Sequence, residues 1–127
     1  MPQQLAQNKE IPKRHLRKRA DYLKTYKGFS VRRPMLALYA RSNGLASHRF
    51  GFTVPKVTGT AVIRNQFKRW SREFYRNTDL SALNESLDLH VYVGNKRMKK
   101  EVYKSVQFKE FQAQLNQALQ FVIKNFK

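Results

Sequence analysis

Arg64, Asn65, Lys68, Arg69, Arg72 and Arg76 recur at spacings that place them along one side of a helix. At 3.6 residues per turn they fall within an arc of about 140°. All but Asn65 are cations, and Glu73, at the edge of the arc, is the only acid between Thr60 and Asn77. Solvated helix faces normally mix signs, because like charges at i and i+4, such as Arg64–Lys68 and Lys68–Arg72, repel each other. An unrelieved basic face is suited to neutralising phosphates with release of their counterions.

Acid–base and metal chemistry have little to work with. The carboxylates are Glu10, Asp21, Glu73, Asp79, Glu85, Asp88, Glu101 and Glu110, scattered with no metal-binding spacing. His15, His48 and His90 are isolated, and His90 reads as an ordinary sheet residue. Ser71, Ser81 and Ser105 lack a G-x-S-x-G context. The absence of Cys excludes disulfides, thiolate zinc sites and cysteine nucleophiles. With 26 Lys plus Arg against 8 Asp plus Glu, the net charge of +18 calls for a polyanionic partner. The longest apolar run is six residues, 35–40, far short of a membrane span. The N-terminus has no apolar signal-peptide core, so a cytoplasmic protein is expected, with no membrane partner.

The elements that must position these residues follow from periodicity. The length of 127 residues suits one domain. Residues 1–12 are polar and expected to be a disordered tail, leaving 13–127 as a single domain for that polyanionic partner. In 13–27, Leu16, Ala20, Leu23 and Tyr26 approximate helical spacing among seven basic residues, which predicts a short helix ending at Gly28. Strands are predicted over 35–41, 49–54 and 87–93, with a hairpin loop at 42–44. Each has one greasy face, which should meet helices in the core. The opposite faces form an expected exposed floor carrying Tyr39, Arg41, Thr53, His90 and Tyr92. Alternation alone fits solvated sheet surface and a binding floor equally. Thr60 is the expected N-cap of a helix over 60–77, whose core stripe is Ile63, Phe67, Trp70 and Phe74. Ser105 is the expected cap of a final helix carrying Phe108, Phe111, Leu115, Leu119, Val122 and Phe126 inward. A second basic cluster, Lys96, Arg97, Lys99, Lys100 and Lys104, precedes it.

The segment from Phe50 to Glu73 resembles the signature of the bacterial ribonuclease P protein subunit. Lys56, Gly59, Ala61, Val62, Arg64, Asn65, Lys68, Arg69, Arg72 and Glu73 match that pattern in order and spacing. The likeness extends over roughly 13–123, with Tyr22 and Tyr26 where the family carries aromatics in its first helix and Tyr39 at its strand tyrosine. The chain departs from the pattern at Gln66, where the family has Arg, at Thr60 for a common Asn, and at Val57 for a frequent Lys. Gln66 lies about 200° from Arg64 on the wheel, so the basic face keeps its centre.

The resemblance implies an α+β fold, a single-domain sandwich with a four-stranded sheet in the order αβββαβα(α). Three of its strands would be antiparallel before the basic helix. It also implies a left-handed βαβ crossover, against the right-handed rule that about 98% of such connections obey. The implied function is the protein subunit of a ribonucleoprotein endoribonuclease that matures the 5′ ends of tRNA, in which the RNA subunit is the catalyst and Mg²⁺ is held mainly by that RNA. The implied partners are the catalytic RNA and precursor tRNA, with no obligate protein partner. Lys56, Arg64, Asn65, Lys68, Arg69 and Arg72 would bind RNA; Tyr22, Tyr26, Tyr39 and Thr53 would line the groove for the single-stranded 5′ leader. Composition alone fits a ribosomal or ribosome-assembly protein as well, and a duplex-DNA binder using the basic helix in the major groove remains a further alternative.

Overall fold

The computed structural model describes residues 11–94 and 98–126. The chain runs β1 (Lys13–His15), α1 (Arg19–Thr25), β2 (Phe29–Arg33), β3 (Leu36–Ser42), β4 (His48–Thr53), a 3₁₀ turn (Lys56–Thr58), α2 (Ala61–Asn77), β5 (Leu87–Val93), α3 (Lys100–Ser105) and α4 (Phe108–Phe126). The fold is α+β, as expected. The expected tail and the cations Lys96 and Arg97 lie outside the described residues, except Ile11 and Pro12.

The sheet has five strands rather than four, in the order β1-β4-β5-β3-β2. It is mixed: β2–β3 and β3–β5 are antiparallel, while β1–β4 and β4–β5 are parallel. The expected hairpin at 42–44 is therefore corrected, because β3 and β4 do not pair. They flank β5, whose Leu87, Leu89, Val91 and Val93 are completely buried. A strand so apolar gains most at the centre of the sheet, covered on both faces. The connection from β3 to β4 crosses its end, with Asn43 N–H bonded to Ser86 O at 3.1 Å.

The first helix is shorter than expected, because residues 13–15 form β1 instead. Its buried face also differs from the apolar spacing. Leu23 is half exposed and Ala20 is exposed, while Thr25 is buried and Tyr22 half-buried. The helix docks on the polar floor of the sheet, so its inward residues are those able to hydrogen-bond there. A seven-residue helix has little stability of its own and depends on that docking.

The helix over 60–77 forms as predicted. Thr60 caps it, its hydroxyl accepting from Ile63 N–H at 3.4 Å. Phe67, Trp70 and Phe74 are buried against the greasy face of the sheet and α4. Phe67 meets Phe111 edge-on at 5.4 Å, and Tyr75 stacks on Phe50 at 3.8 Å. Each fully buried aromatic or leucine contributes about 1.5–3 kcal/mol relative to exposure. The stripe of α4 also lies inward, with Phe111, Leu115, Leu119 and Val122 buried. Ser105 does not cap that helix. It ends α3, its hydroxyl donating to Val102 O at 2.9 Å, while Gln107 N–H is taken by the Glu110 side chain at the start of α4.

Candidate nucleic-acid interface

Two surfaces result, on opposite faces of the sheet. On the greasy side, α2 turns its basic arc outward. Asn65, Arg69, Arg72 and Arg76 are exposed; Arg64 and Lys68 are half-buried. Arg64 Nε donates to Gly59 O at 3.3 Å, which directs its guanidinium beside the first turn. The Arg72 guanidinium lies 5.1 Å above the Phe52 ring. That contact orients the cation without using its hydrogen bonds. Lys56 is exposed on the 3₁₀ turn that leads into α2. Residues of β1 extend the surface: Arg14 and His15 join Arg72 and Arg76 around a recess of about 250 Å³. Lys13 is different. Its ammonium donates to Tyr75 O at 2.9 Å and to Thr78 O, capping the C-terminal end of α2.

On the other side, the four residues expected to take the leader converge. Tyr22, Tyr26 and Tyr39 surround the His90 ring at centroid distances of 4.8, 5.2 and 6.0 Å. Tyr26 meets Tyr39 edge-on at 4.7 Å. Thr53 Oγ1 lies 2.8 Å from His90 Nε2, and Thr25 Oγ1 2.9 Å from Nδ1. Tyr26 is 41% exposed and Tyr39 half-buried, so both offer ring surface to a ligand. Strand register produces the cluster, pairing Tyr39 with His90 and His90 with Gly51. Gly51 is required there: a Cβ would fall 2.6 Å from Tyr22 Cζ, inside van der Waals contact.

The floor is not uniformly exposed, which corrects the expectation for His90. His90 is completely buried beneath α1. Burial pulls its pKa down from 6.5 to about 4, so the ring is neutral. Asp88, the next floor residue along β5, is equally buried. Arg49 grips it with two hydrogen bonds of 2.8 and 2.7 Å, Asn43 adds one of 2.9 Å, and Arg41 lies 3.4 Å away. Burial by itself would raise the Asp88 pKa, but the bonds from Arg49 and Asn43 outweigh it and hold the carboxyl below its usual range. Arg49 also reaches Asp21 at 3.2 Å, tying the start of α1 to the sheet. Burial raises the phenol pKa values of Tyr22 and Tyr26. Sequence reasoning missed His90 and Asp88 as organisers. The available signal was the glycine in the strand Phe50-Gly51-Phe52, which leaves room for a ring above its neighbour.

His90 makes stability depend on pH. Its folded pKa is depressed, so below pH 6.5 the unfolded state binds the proton first. Stability is therefore full above pH 6.5 and falls toward pH 4, by about 3 kcal/mol if the whole shift is expressed. Denaturant melts from pH 4 to 7 should show this slope in the wild type and a flatter one in His90→Gln. Equal slopes would mean the ring takes up its proton as readily in the folded state as in the unfolded one.

The Ribonuclease P family model matches residues 12–123. The chain belongs to the ribonuclease P protein family. The ribonuclease P protein component of Alkaliphilus metalliredigens is 33% identical over 93 residues, covering 72% of this chain and 82% of that relative. Solved ribonuclease P proteins share the fold. That of Thermotoga maritima superposes with a TM-score of 0.69 at 28% identity, covering 89% of this chain and 97% of its own. That of Staphylococcus aureus gives 0.70 at 27% identity, covering 94% and 100%. Nothing in the fold or in these relatives favours the ribosomal or assembly-protein reading. In this ribonuclease P protein no helix among the described residues is long and apolar enough to cross a membrane.

Proposed function

We propose that this chain is the protein component of a ribonuclease P ribonucleoprotein, binding the catalytic RNA through α2 and the 5′ leader of precursor tRNA across the floor. Arg64, Asn65, Lys68, Arg69 and Arg72, with Lys56 at the entry turn, meet phosphates of the RNA subunit. Tyr26 and Tyr39 stack on unpaired leader bases, Tyr22 buttresses them, and Thr53 contacts the strand beside them. Stacking accepts any base, which suits a substrate set with varied leaders. Mg²⁺ held mainly by the RNA supplies the chemistry of phosphodiester hydrolysis. The described residues contain no group of three His, Cys, Asp or Glu able to hold a metal. The protein's part is to position the substrate in the cytoplasm, without an obligate protein partner.

The observation that carries the leader assignment is the convergence of the three tyrosines over one histidine on a partly open sheet face. Tyr39→Ala tests it. In the reconstituted holoenzyme the substitution should cost about 1–3 kcal/mol of affinity for a precursor with a leader of several nucleotides. Affinity for mature tRNA, which has no leader, should be unchanged. An equal loss for both substrates would make Tyr39 structural and remove the leader groove from this face.

A further inference from the structure

The hydrogen bonds around His90 have a fixed direction. The Thr25 hydroxyl donates to the Tyr22 backbone carbonyl at 2.6 Å. A carbonyl can only accept, so the single hydrogen of that hydroxyl is used there. The 2.9 Å contact between Thr25 Oγ1 and His90 Nδ1 must then run from Nδ1–H to the oxygen. A neutral imidazole has one N–H, which leaves Nε2 as an acceptor. The depressed His90 pKa is in keeping with the neutral ring. The 2.8 Å contact at Nε2 therefore runs from the Thr53 hydroxyl to the ring. Thr53 Oγ1 keeps lone pairs and has no hydrogen to offer.

We infer that Thr53 is a specificity-determining residue that accepts a hydrogen bond from a donor group of the leader, and does not contact a leader phosphate. Non-bridging phosphate oxygens carry no hydrogen, so an oxygen with only lone pairs gains nothing from them. The donors on a single-stranded RNA are the ribose 2′-hydroxyl and the N–H groups of the bases. The inference rests on the leader-binding reading of the floor, and on Thr53 being half-buried there rather than closed off.

The experiment uses the reconstituted holoenzyme with precursor tRNAs altered at single leader positions. One set carries 2′-deoxy sugars, a second bases lacking an exocyclic amine, and a third neutral methylphosphonate linkages. At one position, deletion of a donor should weaken wild-type binding by about 3- to 10-fold, the loss of one neutral hydrogen bond. Thr53→Ser should show the same loss. Thr53→Val should bind the unaltered precursor correspondingly less tightly and be indifferent to that deletion. A response to the 2′-deoxy set identifies the sugar, and a response to the amine-deleted set identifies a base. If the Thr53→Val deficit disappears instead at a methylphosphonate, or no donor deletion matters, the inference is overturned. An equal Thr53→Val deficit with mature tRNA overturns the leader reading itself, a distinguishable result. The free protein supplies a check independent of folding in the variants: ¹⁵N imidazole shifts should report His90 with its proton on Nδ1. A proton on Nε2 would reverse the direction at Thr53 and overturn the proposal.

Discussion

Asp88→Ala lowers the stability of the free protein by about 3 kcal/mol, while Asp88→Asn costs less. The carboxylate is wholly buried and accepts from Arg49 and Asn43, with Arg41 beside it. Removing one partner of a buried ion pair leaves the other charge uncompensated, at a cost of about 3–5 kcal/mol. The lower end applies because the Arg41 and Arg49 side chains are 29% and 20% exposed and can regain water. Asn keeps an acceptor for one arginine and so part of the network. Urea denaturation of the two variants against the wild type measures both values. A loss below about 1 kcal/mol for Asp88→Ala would show that the arginines hydrate freely and that Asp88 anchors nothing.

Neutralising Arg64 and Lys68 together, as Arg64→Gln/Lys68→Gln, makes binding of the catalytic RNA less dependent on salt. If each side chain meets one phosphate, the slope of log affinity against log salt becomes shallower by about 1.4–1.8, according to whether the contacted RNA is single- or double-stranded. The loss of affinity is then larger at low salt than at high. The fold should persist, because both side chains lie off the Phe67, Trp70 and Phe74 stripe. Circular dichroism and the melting temperature check that point, and titrations from low to high salt check the slope. An unchanged slope with normal affinity would make this face ordinary solvated surface.

The basic helix was legible because two independent patterns agree on it. The apolar stripe at period 3.6 and the single-sign arc beside it select the same register, and a threonine stands at its start. Strand alternation likewise separated Tyr39 and Thr53 from Leu36, Leu38 and Phe50. Other features were not legible, for identifiable reasons. The turn-like 42–44 segment suggested a hairpin, yet strand pairing is decided by the competition between β4 and the more apolar β5 for the edge of β3. The buried face of α1 escaped because hydrophobic periodicity is blind to a helix docked through Thr25 and Tyr22 on polar groups. Asp88 and His90 looked like surface for the same reason: Thr25 lies 65 positions before His90, and Arg49 and Asn43 lie 39 and 45 positions before Asp88. At Lys13, composition correctly registered a cation but could not tell one that caps a helix from one that meets RNA.

The position of β5 sets an order of events during synthesis. As the last strand in the chain and the middle strand of the sheet, β5 holds β3 on one side and β4 on the other. A nascent chain that has not yet released Val93 has two separate strand groups, β2–β3 and β1–β4, each with an unpaired edge open to another chain. The sequence of α2 precedes β5, so its cations emerge from the ribosome before the sheet that will support them can close. Late closure through contacts distant in sequence slows folding and prolongs exposure of those edges. The floor tyrosines cannot assemble around a histidine that has not been made, so in this chain the basic helix is presented before the tyrosine floor exists.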